Sequence, residues 1–415
     1  MDVDQPKKEP DQTSYEHDND KVDEEPRDKY QIAYMIHFLL GAGYLVPWNA
    51  FITAVDYFQY LYPKKHINKV FSVGYMSAAV AVLFTLMCWS RSSKVKLPSV
   101  RTRMNIGQGL FVLALMVAPV TDWIMHGRKS RTGDNVAFVV LVSMVMISGL
   151  ADGLCGGSLV GATGELPGRY MQAVFAGNAT AGLMVSILRV VTKASLPHTQ
   201  KGLRASTQIY FVFSSLIVLL CIICTNVLDK LPVIRYYRKQ KHISSTQHVS
   251  LSSNFWQVVK KIRWLVIAVF IVYVISLTIF PGYLSENVES ARFTDWYPII
   301  LITTFNVGDF LGKCLTAIYV PKGSRVAVWC CMGRVLFYPL FMGCIHGPKW
   351  MHSEAPVMVL TLLLGVSNGY LTSVLMILAP KLVPIEEAEV VGIAMETFLV
   401  IGLVVGSAFG WLWNI

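Results

Sequence analysis

The sequence predicts an all-α polytopic membrane protein with eleven transmembrane helices, six then five, and a cytoplasmic N-terminus. Three observations predict it. The chain has 415 residues, of which 54% are hydrophobic and 15% charged, and its mean hydropathy is +0.49. Soluble domains average about 45–50% apolar and about 25% charged residues. The apolar residues are gathered in runs long enough to cross a hydrocarbon core of about 30 Å, which takes about 20 helical residues. Finally, Lys and Arg in the segments between runs favour the N-terminal side by roughly two to one, the bias expected of cytoplasmic loops. The runs must be helices, because lipid offers no partner to an unpaired backbone group. A β-barrel would show short alternating segments instead.

Taken in order, residues 1–29 hold eleven acids and five bases with Pro6, Pro10 and Pro26 interspersed. This composition predicts a disordered acidic cytosolic tail. No signal peptide is visible, so the first apolar run acts as its own insertion signal. Six runs follow at 31–53, 69–89, 104–124, 136–161, 171–192 and 206–228, and make an N-terminal bundle over 30–229. The stretch 230–262 is a basic cytoplasmic loop with Arg235, Arg238, Lys239, Lys241, Lys260 and Lys261. It makes the largest contribution to the charge bias and carries the polar run from His242 to Ser250. Five more runs, at 263–283, 297–319, 326–345, 356–378 and 390–413, make a C-terminal bundle over 263–415. Two helical halves around a midplane site are a common transporter plan. The net charge of +10 then reads as topology and lipid contact, and no nucleic-acid motif accompanies it.

Small residues repeat every four positions in three runs: Gly149, Gly153, Gly157 and Gly161; Ala173, Gly177 and Ala181; Gly402, Gly406 and Gly410. Residues four apart share a helix face, and small ones let two backbones approach. The eight cysteines fall mostly inside runs and read as small packed hydrophobes. Cys221 and Cys224 form a CxxC without a second pair, which does not make a metal site. Asn178 begins a glycosylation sequon inside a span, where modification is not expected.

Charges inside a span are costly in hydrocarbon and mark function. There are three acids, Asp152, Asp309 and Glu396, and three bases, Arg189, Lys313 and Arg334. Asp309 and Lys313 lie four apart and share a helix face. The carboxylate can accept from sugar hydroxyls and the ammonium can donate to a hydroxyl or a carbonyl; an ion pair that neutralises the helix is the alternative. Asn306 lies near the same face. Trp48 follows Pro47, which removes a backbone hydrogen bond. Its ring either stacks on a base or sits in an interfacial belt. Glu396 and Arg189 either exchange protons or pair with Arg334 and Asp152. No HExxH, GxSxG or paired catalytic aspartates at matching depth accompany the spans. An enzyme, a cofactor and a metal are therefore not expected.

These residues also carry a resemblance. The run Gly41–Ala50 (GAGYLVPWNA), the run Phe305–Lys313 (FNVGDFLGK), Ser367–Leu371 (SNGYL), Pro380–Lys381, Glu387–Glu389 and Gly402–Gly406 resemble, in order and spacing, the equilibrative nucleoside transporters. Leu231–Arg238 and Leu188–Ala194 resemble the plant branch of that family. The resemblance covers nearly the whole chain from about residue 30. It implies a major-facilitator-like fold, alternating access, and purine and pyrimidine nucleosides as substrates, carried downhill or with protons. By position it implies that Leu45 and Trp48 face the base or ribose, and that Met76, Phe280 and Leu403 line the cavity. Asn306, Asp309 and Lys313 would take the ribose hydroxyls, and Gly177 and Gly182 would be packing glycines. Two positions depart from many relatives: Lys313 replaces an arginine, losing a planar two-point donor, and Gly156 replaces a glutamine that reads the base edge, with Asp152 one turn earlier. The expected partners are a nucleoside, the bilayer and protons, with no nucleic acid, for a monomer in the plasma membrane or, alternatively, the vacuolar membrane. A carrier of nucleobases or other polar solutes, and a nucleoside receptor without flux, are the rival readings.

Overall fold

The computed structural model describes residues 26–90, 97–125, 131–197, 199–247, 255–280, 290, 292–348, 351 and 353–412. The predicted disordered tail lies outside the described residues as far as position 25. Among the described residues all regular structure is helical. In chain order the helices are α1 (Ile32–Thr53), α2 (Val55–Leu61), α3 (Ile67–Ser90), α4 (Val100–Met125), α5 (Arg131–Gly164), α6 (Gly168–Ser195) and α7 (Gln200–Leu228). There follow α8 (Pro232–Gln247), α9 (Phe255–Thr278), α10 (Tyr297–Leu315), α11 (Ser324–Gly333), α12 (Phe337–His346), α13 (Glu354–Leu378) and α14 (Ile385–Leu412).

Among the described residues ten helical segments are long and apolar enough to cross a membrane. Large apolar side chains such as Phe84, Val139, Leu216, Ile223 and Trp329 point outward. That would be an aggregating surface in water, but it suits hydrocarbon.

Local chemistry sets several helix ends. The Asp28 carboxylate accepts from the backbone N–H of Ala33 at 3.0 Å and of Tyr34 at 3.1 Å. A negative group there satisfies free donors and complements the helix dipole. The Thr199 hydroxyl accepts from Gly202 at the start of α7. Pro232 opens α8, where its missing N–H does no harm.

Three sequence expectations are corrected. The run 326–345, expected as one helix, is broken by a 3-10 turn at Arg334–Leu336. Pro339 lies just after it and has no N–H for the carbonyl four residues earlier. The turn aims Arg334 inward, where it is buried. Helix α9 begins at Phe255, ahead of the expected edge at 263, because Phe255, Val258, Val259 and Ile262 already face the interior. Arg103, expected in a connection, lies inside α4 and is buried.

Helix α1 packs on α6 and α7, α4 on α5 and α7, and α3 on α5. In the second half α10 packs on α13 and α9 on α14. The halves meet where α3 and α5 lie against α14 and where α6 lies against α10 and α13. One apolar cluster runs across this seam, from Leu83, Val160 and Phe175 to Val269, Val374 and Leu399. The repeated small residues sit at crossings. Gly149 and Gly153 face the backbone of α3, Gly157 faces Leu83, and Gly161 faces α14. Gly177 meets α1 at Phe38, and Gly402 and Gly406 meet α9.

Candidate functional site

The tightest crossing in the second half is that of α10 and α13. A Cβ on Gly312 would run into the carbonyl of Val366, and one on Gly369 into that of Asp309. Only glycine permits this approach, and the approach places Asn368 beside Asp309. The Asn368 Nδ2 donates to Asp309 Oδ1 at 2.7 Å, and Lys313 Nζ lies 2.9 Å from Asp309 Oδ2. Both carboxyl oxygens are therefore held. Asn368 Oδ1 in turn accepts from Ser276 Oγ at 2.8 Å, and Arg334 donates to Ser276 Oγ at 2.7 Å. The result is a buried polar chain through α10, α13, α9 and the break before α12. A buried ion pair persists when hydrogen bonds satisfy its other atoms. A nucleoside hydroxyl can exchange into such a chain, since it both donates and accepts.

Asn306, one turn before Asp309 on α10, faces the other half. Its Nδ2 donates to Ser186 Oγ at 2.7 Å and to the Gly182 carbonyl at 3.3 Å. Gly182 leaves room for it, since a Cβ there would lie 3.2 Å from Asn306 Oδ1. Trp48 is half-buried, and its ring lies 4.5 Å from that of Tyr75 on α3. Leu45, Met76 and Leu403 are also half-buried, and Met76 and Leu403 border the same seam cluster. Phe280 is buried and stacks on Phe305 at 4.6 Å.

The other predicted charges separate. Arg189 is at the far end of α6 and pairs with Asp56 at 2.7 Å; it meets neither Glu396 nor Asp152. Arg334 belongs to the Asp309 chain. Asp152 and Glu396 lie buried on α5 and α14, on opposite sides of the seam. Tyr44 donates to Glu396 Oε1 at 3.4 Å and accepts from Asn178 Nδ2 at 2.7 Å, so the sequon asparagine has an internal role. Sequence reasoning assigned nothing to Asn368, Ser276 or Tyr44, although Asn368 and Tyr44 stand inside quoted motifs.

The seam is closed differently at its two ends. At the end that holds the start of α14, Arg103 pairs with Glu389 at 2.5 Å. Lys241 of α8 bonds Glu165 and lies 3.6 Å from Glu389. Burial pushes the Glu165 carboxyl up, against the pull of Lys241. At the other end Lys193 Nζ donates to the Asp295 carbonyl at 2.6 Å and lies 5.1 Å from the centre of the Trp296 ring. A cavity of about 390 Å³ opens there, lined by Asp56, Arg189, Lys193, Tyr210 and Asp295 among others.

Residues 141–250 and 242–415 match the sequence profile of the nucleoside transporters. The chain belongs to the nucleoside transporter family. Among its relatives are two Arabidopsis thaliana proteins. Equilibrative nucleotide transporter 8 is 51% identical, over 95% of this chain and 98% of that one. Equilibrative nucleotide transporter 1 is 45% identical, over 94% and 88%. Among solved structures, a bacterial homologue of the iron transporter ferroportin in an outward-facing state superposes with a TM-score of 0.64 at 12% identity, covering 92% of this chain and 93% of that one. The major facilitator superfamily transporter FucP gives 0.60 at 14% identity, covering 93% and 92%. These two share the fold. The nucleoside transporter is thus a multi-pass membrane protein of major-facilitator architecture that moves nucleosides across a bilayer, and not an enzyme.

Proposed function

We propose that the nucleoside is enclosed at the seam, near the midplane, and carried by alternating access of the two halves. The observation that carries this reading is the buried Asp309–Lys313–Asn368 chain lying one turn from Asn306, which itself bonds the opposite half. Asp309 accepts from a ribose hydroxyl, Lys313 donates to the sugar or to a base carbonyl, and Asn306 trades its bond to Ser186 for one to substrate. Trp48 offers a π face to the base, a contact worth about 1–3 kcal/mol. Leu45, Met76, Phe280 and Leu403 form the apolar wall. Purine and pyrimidine nucleosides both fit a site that reads the ribose by polar contacts and the base by stacking.

In this reading α9 is a span like its neighbours. The chain then has eleven spans, six and five, around the α8 connection. The N-terminus is cytoplasmic, which puts the basic α8 on the cytoplasmic side. The protein acts as a monomer in the plasma membrane, with the vacuolar membrane as the alternative. Its partners are nucleoside, lipid and protons, and not nucleic acid.

Vesicles or oocytes expressing the chain should take up labelled uridine and adenosine saturably, each competing with the other. Asp309→Ala should abolish uptake at unchanged membrane level. Normal uptake in that variant would remove the α10 site, and no uptake by the wild type at the membrane would remove the transport reading.

A further inference from the structure

The cavity at the end of the seam that Lys193 fastens is separate from the proposed nucleoside site. Trp48, Asn306, Asp309 and Lys313 lie outside its lining. Its walls come from both halves: α2, α6 and α7 of the first, and Asp295 with the start of α10 of the second. At about 390 Å³ it falls among pockets that enclose small ligands, about 300–1,000 Å³.

Arg189 and Lys193 stand four residues apart on α6, so they share a helix face, and both line the cavity. Each has donors to spare. Among the described residues Arg189 makes one hydrogen bond, from Nη2 to Asp56 Oδ2 at 2.7 Å, which leaves Nε and Nη1. Lys193 donates once, to the Asp295 carbonyl, which leaves two of its three protons. The Arg189–Asp56 pair is open to water, with side chains 24% and 60% exposed, and an exposed pair contributes little. The wall also holds acceptors. Asp56 and Asp295 are the acids beside the two cations, and the Asp295 carboxylate makes no hydrogen bond among the described residues.

We propose that this cavity binds a nucleoside 5′-monophosphate, which ties the two halves together at the mouth and slows transport without itself being carried. A phosphate monoester carries about −1.5 to −2 charges at pH 7 and three strong acceptor oxygens. Arg189 grips it with two parallel N–H bonds, and Lys193 donates to it from one turn further on. Asp56 gives up its bond to Arg189 in exchange, and a neutral nucleoside has no group that would win that exchange. A 5′-phosphate leaves the 2′ and 3′ hydroxyls as a pair, and the carboxylates of Asp56 and Asp295 accept from them. The site thus reads an anion and a sugar together. The phosphate goes no deeper, because the seam beyond is apolar and its polar chain is centred on the carboxylate of Asp309. The cations ride on the first half and Asp295 on the second, so a ligand that spans them favours the closed mouth, and closure favours the ligand in return.

The test uses purified full-length protein in lipid nanodiscs, where both faces meet the solution. Labelled UMP should bind saturably and stay bound in a saturating excess of unlabelled uridine. Labelled uridine bound by the same samples counts the folded protein, so UMP binding is expressed per uridine site. Arg189→Gln and Lys193→Gln should each weaken UMP binding by about tenfold or more, the loss expected for a hydrogen bond to a charged group, and Lys193→Arg should bind UMP as the wild type does. Inorganic phosphate, which lacks the sugar, should compete at least about tenfold less well than UMP. In liposomes with UMP on both sides, the maximal rate of uridine exchange should fall while KM stays unchanged. Absence of UMP binding in the wild type overturns the proposal, as does its displacement by uridine, which would put UMP in the nucleoside site. Unchanged UMP binding in both glutamine variants removes the cavity, and phosphate competing as well as UMP removes the sugar contacts. UMP that is itself carried, or that leaves exchange untouched, overturns the braking role. A wild type that binds UMP but not uridine takes down the transport reading and leaves this site standing.

Discussion

Asp309 is the residue on which the proposed site depends, and its neighbours make the dependence measurable. Lys313→Met would leave a carboxylate buried without its cation, a change that destabilises by about 3–5 kcal/mol. A clear fall in melting temperature is expected. Asp309→Asn combined with Lys313→Met removes the uncompensated charge and should recover most of the thermal stability but none of the uptake. That split separates a folding role from a substrate role. Trp48→Ala should raise KM for uridine about tenfold, from the loss of stacking worth about 1–3 kcal/mol, and Trp48→Phe should raise it less. Asp309 and Lys313 could be read in the sequence because both sit on one helix at a spacing that fixes their pairing. Asn368 could not, because its partner is on another helix and nothing in a run of apolar residues says which side chain it meets. Arg189 stood out in the sequence as a charge within an apolar run. Its partner Asp56 lies beyond the end of the apolar run, where span counting does not look.

At the scale of the element, the α10–α13 crossing decides whether the proposed site can form, because it sets Asn368 beside Asp309. Gly312→Ala and Gly369→Ala would each drive a Cβ into a backbone carbonyl of the facing helix, which cannot turn aside as a side chain can. Both should lower the melting temperature and reduce uptake, since they part Asn368 from Asp309. Gly109 on α4 is the control: its Cβ would meet nothing within 4 Å. Gly109→Ala should be neutral or stabilise by up to about 1 kcal/mol, the helix-propensity difference between the two residues. The stripes in α5, α6 and α14 were visible from their four-residue period. The α10–α13 pairing has the same period in Gly308, Gly312, Gly365 and Gly369 and could have been read by the same rule. The break before α12 was hidden for another reason. Hydropathy reports how apolar a run is, and it does not register the hydrogen bond that Pro339 fails to make.

At the scale of the molecule, the all-helical, membrane-spanning architecture could be read from the length of the apolar runs. The seam could not, because periodicity marks a buried face without naming what covers it. Gly164 and Ala388 lie in contact across the seam at its ion-paired end, where a Cβ on Gly164 would stand 2.9 Å from the Ala388 carbonyl. Gly164→Cys with Ala388→Cys should cross-link under mild oxidant and stop uptake, with recovery on reduction. Full uptake in the cross-linked protein would mean that this end does not open during the cycle. Glu389→Gln weakens the hold of Arg103 and Lys241 on α14 and should increase labelling of a cysteine at 164 by a water-soluble reagent.

The two ends of the seam are unequally fastened: Arg103, Lys241, Glu165 and Glu389 hold one, and Lys193 the other. That inequality gives the carrier a resting direction. An empty molecule must undo the ion-paired end unaided on each turnover, whereas a loaded one can draw on its cargo. The slow leg of the cycle should then be the unladen return. Labelled uridine should enter vesicles already filled with unlabelled uridine several-fold faster than it enters empty ones, and Glu389→Gln should narrow that advantage.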